Sequence, residues 1–162
     1  MRFTAIVKGA IALGALFVLG GADGVTREAV PAVRVVTTGE MRWVSVAGYP
    51  PGYARAMLEG DAAKAVPHTY RVRLPAGFKI QPHTHDSDEH VTVLQGTWSF
   101  GLGGTFDASR VRPVPAGSFV IIPAGTPHFL AIDRETIVQV HGVGSIGFRP
   151  VTSRGVTEDV NR

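Results

Sequence analysis

The chain has no cysteine among its 162 residues, so it can form no disulfide framework and offers no thiol for lipid attachment or oxidation. Its stability must come from a packed core, and this length suffices for one core but argues against two. Charge of one sign is equally scarce. The formal net charge of +3 comes from 16 basic and 13 acidic residues, and two of the bases, Arg2 and Lys8, lie within the first 22 residues. Without that segment fourteen bases face thirteen acids, scattered rather than clustered, so nothing electrostatic points to nucleic acid or an anionic membrane as partner. Long apolar runs are missing with one exception. Gly9 to Ala22 is uncharged and rich in Ala, Leu and Gly, yet shorter than the ~20 residues needed to cross a bilayer.

A charged start, a short apolar run and small residues at Gly20 and Ala22 have the layout of a secretory signal peptide. Cleavage is expected after Ala22, leaving a mature chain that begins near Asp23. Residues 1–22 are thus read as a leader, 23–40 as an extended arm with at most a short strand at Val33 to Thr37, 41–150 as one domain and 151–162 as a tail. Export to a bacterial periplasm, or secretion, follows as an expectation, with no stable membrane span once the leader is removed.

Beyond the arm, segments rich in Val, Ile, Tyr and Trp recur between Gly and Pro clusters. Strands are expected at Met41 to Val46, Tyr53 to Leu58, His68 to Leu74, Glu89 to Leu94, Thr97 to Leu102, Ser118 to Ile122, His128 to Ile132 and Thr136 to His141. In His68 to Leu74, Tyr70, Val72 and Leu74 fall on one face and Arg71 and Arg73 on the other, which makes one side core and the other solvent. Ala54 to Lys64 carries helix formers, but Gly60 interrupts them and strand followed by loop is the better reading. Short strands at this spacing predict an all-β sandwich or barrel.

Chemistry concentrates in two stretches. His83 and His85 are two residues apart, so on a strand both imidazoles project from one face and can meet one ion. Asp86, Ser87 and Asp88 are turn formers, expected to bring Glu89 up on the next antiparallel strand beside the histidines. In the second stretch, Pro123 to Gly125 form a turn feeding a strand that begins at His128, from which a fourth ligand could enter the same interior. Three neutral imidazoles and one carboxylate suit a divalent Mn, Fe, Co, Ni, Cu or Zn ion and suit Ca or Mg poorly. An octahedral ion held by His83, His85, Glu89 and His128 would keep two positions open.

Both stretches resemble the two sequence motifs of the cupin superfamily. Gly77, His83, His85, Glu89 and Gly96 match the first, and Gly117, Pro123, Gly125 and His128 the second. The resemblance covers roughly Tyr70 to His141 and implies a cupin jelly-roll barrel, the double-stranded β-helix, with the metal at its centre and flanking strands completing it; the N-terminal arm precedes the barrel. One position departs from the pattern: Ile132 stands where the family commonly has Asn four residues after the motif-two histidine.

Among the remaining candidates, His141 shares a strand face with Gln139 and Ile137 and could either point into the barrel beside the metal or outward as a surface imidazole. His90 follows Glu89 directly and should face away from the metal, in a structural or solvent role. Nothing in the pattern requires His68. Val91, Val93, Leu130 and Ile132 are expected to give the pocket apolar walls, whereas Trp43, Trp98, Phe100 and Phe106 are read as packing. The resulting expectation is a metal-dependent oxidoreductase, dioxygenase-like, acting on a small oxygenated molecule, with Glu89 as ligand and base. Decarboxylation or isomerisation would use the same site, and the alternative is a module that binds or senses a metal or small ligand without turnover. A homodimer covering the strand edges is also expected.

Overall fold

Short amphipathic strands can bury their apolar sides only by pairing into sheets that close on one another. The structure, a computed structural model, describes residues 33–152 and 155–156, and these form eleven strands. They are β1 (Ala54–Glu59), β2 (Pro67–Leu74), β3 (Lys79–Thr84), β4 (Glu89–Gln95), β5 (Thr97–Leu102), β6 (Arg112–Pro115), β7 (Phe119–Ile122), β8 (His128–Ala131), β9 (Thr136–Val143), β10 (Arg149–Thr152) and β11 (Gly155–Val156). All pairings are antiparallel. One sheet runs β1-β2-β9-β4-β7 and the other β11-β10-β3-β8-β5-β6.

The core lies between the two sheets. Tyr70, Val72 and Leu74 of β2, Val91 and Val93 of β4, and Val138 and Val140 of β9 meet Ile80, Trp98 and Leu130 of the opposing sheet. Each such large apolar side chain, fully buried, contributes about 1.5–3 kcal/mol. The alternation in β2 is as expected, with Arg71 and Arg73 on the outer face, where the Arg73 guanidinium sits 4.8 Å over the Trp43 ring. Strand β8 is buried on both faces. Phe129 lies over Gly101, where any Cβ would run into the ring, and Phe106 covers Phe129 at 5.2 Å. Trp98 is buried and stacks on Phe100 at 4.8 Å, so these aromatics pack as expected.

Several expectations are corrected. Met41 to Val46 forms no strand, only a single bridge between Val44 and Arg55. No strand forms at Val33 to Thr37; a 3-10 turn over Thr38–Glu40 follows, closed by Thr37 N–H and Oγ1 donating to Glu40 Oε2 at 2.8 Å each. Strands β3, β6, β10 and β11 are absent from the eight expected segments, although the spacing of His83 and His85 supposed a strand there. The prolines of β6 are tolerated because it is an edge strand, where missing N–H donors leave no ladder bond broken on the solvent side. The expected tail boundary at residue 150 falls inside β10, which pairs with β3. The expected leader and most of the expected arm, residues 1–32, lie outside the described residues. Among the described residues no helix is long and apolar enough to cross a membrane.

Candidate metal centre

A β-bulge builds the first ligand. Ile80 pairs with Leu130 and His83 with His128, so three steps along β3 match two along β8. The extra residue reverses the inward-outward phase of the strand, which turns both Ile80 and His83 toward the interior. His83 and His128 thereby face each other in register. His85 lies just beyond β3, held by Gly125 N–H donating to its carbonyl at 2.9 Å.

Glu89 arrives by a route other than the expected hairpin. Strands β3 and β4 do not pair; β4 belongs to the opposite sheet, where Glu89 stands across from Ile122 of β7. The chain crosses from one sheet to the other at Asp86 to Asp88, and the carboxylate meets the imidazoles across the barrel interior. Polar anchors fix that crossing. Arg149 grips Asp86 with two hydrogen bonds, of 2.5 and 3.0 Å. Asp86 N–H donates to Ile146 O, and Asp88 Oδ1 accepts from Ala124 N–H at 2.8 Å.

The ligand atoms of His83, His85 and His128 all lie within 4.8 Å of one another, and the three residues are buried. Glu89 Oε2 is 3.7 Å from His85 Nε2 and 3.6 Å from His128 Nε2. Each imidazole directs Nδ1 at a backbone carbonyl: His83 at Gln81 O (2.8 Å), His85 at Gly147 O (2.8 Å) and His128 at Thr126 O (3.0 Å). A carbonyl only accepts, so Nδ1 carries the proton in every case and Nε2 keeps its lone pair for a ligand.

Electrostatics push the same way. Burial, reinforced by the neighbouring His128 and His85, holds His83 well below the usual imidazole range. Burial also lowers His128, against the opposing pull of Glu89. Neutral imidazoles are what a metal requires. Glu89 Oε2 is buried with no hydrogen-bond partner, an orphaned acceptor that an ion would satisfy. Three imidazole nitrogens and the one carboxylate that carries this orphaned oxygen fit a borderline divalent ion.

Residues outside the motifs complete the walls. Tyr49, Tyr53 and Tyr70 line the cavity with Val91, Leu130 and Val138. Burial raises all three phenols, and the Glu89 charge adds to the shift, so they stay protonated. Phe148 stacks on His83 at 4.7 Å and meets Tyr49 at 4.6 Å. Tyr49 sits in a Gly-Pro-rich loop and Phe148 beyond the last expected strand, so neither carried a sequence signal for this place. The cavity at the ligands is only about 30 Å³. Since one water needs roughly 10–15 Å³, it holds two or three water-sized molecules.

His141 is corrected to the outer face. Val138 and Val140 take the inward positions of β9, so the alternation turns His141 outward, where its ring lies 5.1 Å from that of His90. Burial, with His90 and His68 nearby, places His141 below the usual imidazole range. At the departing motif position, Ile132 is buried; its N–H donates to Phe78 O and its carbonyl accepts from Gly77 N–H. An apolar side chain there extends the core.

Two antiparallel sheets closed around a buried cluster of three histidines, supplied at these spacings, define a cupin. Residues 31–146 match the ChrR cupin-like domain family, and the chain belongs to it. No curated protein matches it in sequence. Among solved structures it is similar to an RmlC-like cupin protein from Ralstonia eutropha, with 17% identity, TM-score 0.60 and 78% of each chain covered. It is similar also to the polyketide cyclase RemF from Streptomyces resistomycificus, with 19% identity, TM-score 0.62, and 79% of this chain and 89% of that one covered. The DMSP lyase DddQ from Ruegeria pomeroyi follows, at 25% identity and TM-score 0.54, with 74% of this chain and 64% of that one covered. What these proteins share with the chain is the fold.

Proposed function

We propose that the chain is a metal-dependent cupin enzyme of dioxygenase-like type, holding one divalent transition ion on His83, His85, His128 and Glu89 and acting on a small oxygenated molecule. The observation that carries this reading is the convergence of the His83, His85 and His128 imidazoles in a buried cavity, with the unpartnered Glu89 Oε2 3.7 Å and 3.6 Å from the Nε2 atoms of His85 and His128. When bound, the ion supplies Lewis-acid or redox activation of the substrate's oxygens. The chain's residues supply the rest. Backbone carbonyls fix the three imidazoles, the Glu89 carboxylate takes a substrate proton at Oε2, and the protonated phenols of Tyr49, Tyr53 and Tyr70 offer donors to substrate oxygen. Tyr49 and Phe148 exclude water until they part to admit substrate.

The narrowness of the cavity favours a second reading, in which the domain binds or senses a metal or a very small ligand without turnover. Elemental analysis of protein from its native compartment, followed by dioxygen uptake against enols, catechols and small keto acids, separates the two. Product formation lost in Glu89→Gln supports the enzyme; saturable binding with the ligand recovered unchanged supports the binder. Absence of stoichiometric metal, with His83→Ala behaving as wild type, overturns both.

Export is proposed from the layout of residues 1–22, and a mature N-terminus near Asp23 by mass spectrometry is its test. A homodimer is proposed from the exposed apolar side chains Phe119 and Ile121 on the edge strand β7. Light scattering that finds only monomer at high concentration overturns it.

A further inference from the structure

The six histidines of the chain divide into two groups of three. His83, His85 and His128 make the buried centre, while His68, His90 and His141 line one cavity of about 420 Å³ elsewhere on the five-stranded sheet. We propose that this second cavity is a metal site of its own, taking a borderline divalent ion such as Zn²⁺ or Ni²⁺ on the imidazoles of His90 and His141.

Register places the pair. His90 of β4 and His141 of β9 stand directly opposite each other on neighbouring antiparallel strands, so both side chains leave the sheet from the same face. Their ring centroids are 5.1 Å apart. The pairs in the buried centre stand at 5.0, 4.2 and 5.3 Å, so the outer pair has the separation of imidazoles able to share an ion. Phe119 of β7 lies 5.9 Å from each ring, edge-on to His90 and stacked on His141.

His68 belongs to the far wall of this cavity. His68 is 2% exposed, and its Nε2 is buried with no hydrogen-bond partner. Its Nδ1 faces Val66 O at 3.4 Å, which leaves the Nε2 side as the unsatisfied one. Across the ladder stands Gly142, with no side chain to close off His68, and both residues line the cavity. Asp88 also lines it, with Oδ1 engaged by Ala124 N–H. His68 follows the inward phase of Tyr70, Val72 and Leu74, so its imidazole stands on the opposite face of the sheet from His90 and His141 and is no ligand of the pair. The two sites stand back to back across β4, with Glu89 turned inward and His90 outward. Imidazole ligands favour Zn²⁺, Ni²⁺ or Cu²⁺ over Mg²⁺ or Ca²⁺.

The test is a calorimetric titration of the whole metal-free chain with Zn²⁺, repeated with Ni²⁺. Two equivalents per chain are expected, the weaker one at the outer pair. His90→Ala and His141→Ala should each weaken the second step by about tenfold or more and leave the first unchanged. His141→Asn, a surface-compatible replacement checked by circular dichroism, should do the same, so a folding defect in one variant does not decide the outcome. His83→Ala should lose the tighter step and keep the weaker. A titration in which neither His90→Ala nor His141→Ala weakens any equivalent, whether the wild type binds one or two, overturns the proposal and leaves the two rings as packing for Phe119.

Discussion

Metal-free protein should lose stability when the pH falls from 6.5 to 5.5, and the buried centre sets the size of the loss. In the unfolded chain His83 and His128 titrate near the ordinary value of 6.5, whereas in the fold both are held below it. Below pH 6.5 the unfolded state therefore takes up protons that the native state refuses, and the equilibrium moves toward unfolding. The stabilisation is complete above 6.5, declines as pH falls, and levels off once the pH passes the folded values and the imidazoles protonate in place. An imidazole that stays neutral in the fold contributes about 1 kcal/mol across that first pH unit and approaches ~1.4 kcal/mol per unit below it. His83 should deliver the full amount and His128 less, because Glu89 pulls its proton affinity back up, for a total of about 1–2 kcal/mol. His141 shifts in the same sense but faces solvent and adds little. Urea unfolding at pH 6.5 and 5.5 in the presence of a chelator measures the difference directly. His83→Gln should flatten the pH dependence even though it lowers stability at both values. A wild-type stability that is level or rising as pH falls through this window refutes the claim that His83 and His128 are buried and held neutral.

The remaining predictions concern the walls and anchors of the centre. Phe148→Ala should cost about 3 kcal/mol in urea unfolding and speed removal of bound metal by a bulky chelator in stopped flow, because the ring that stacks on His83 is gone. Arg149→Met releases Asp86 from its two hydrogen bonds; a loss of about tenfold in metal affinity by competition titration is expected, with at most about 1 kcal/mol of stability since the pair is partly exposed. Gly96 has φ of +76°, and a Cβ there would stand 2.5 Å from Glu135 O, so Gly96→Ala should lower stability by about 2 kcal/mol, read as a lower urea midpoint.

The histidine cluster of the candidate centre was legible because its members are encoded locally. His83-x-His85 and the turn before His128 are short-range patterns, and short-range patterns survive in sequence whatever the tertiary path. The alternation of β2 was legible for the same reason, as was the apolar pair Val91 and Val93. The joining path was hidden. A hairpin between His85 and Glu89 and a crossing between sheets use the same turn formers, and which occurs depends on the partners of β3. Those partners, β8 and β10, are supplied from residues 128–131 and 149–152. Strands with proline, β6 and β10, show no β-propensity signal and exist because a neighbouring ladder completes them.

The bulge in β3 shows why alternation alone misplaces a ligand. Counting by twos from the buried Ile80 puts Pro82 and Thr84 inward and His83 on the opposite face. The register against β8 inserts one residue between Ile80 and His83, and the phase reverses just where the first imidazole must enter. Pro82 lies within that irregularity, at a position where a missing N–H leaves no regular ladder bond unmade. The motif spacing of His83 and His85 therefore describes two residues on a distorted strand end. Their convergence depends on the bulge on one side and on the Gly147 carbonyl that holds His85 on the other. It follows that changes remote from the motif, at Gly147 or Arg149, should disturb the metal centre more than substitutions on regular strand positions nearer to it, such as Thr92 on the outer face of β4.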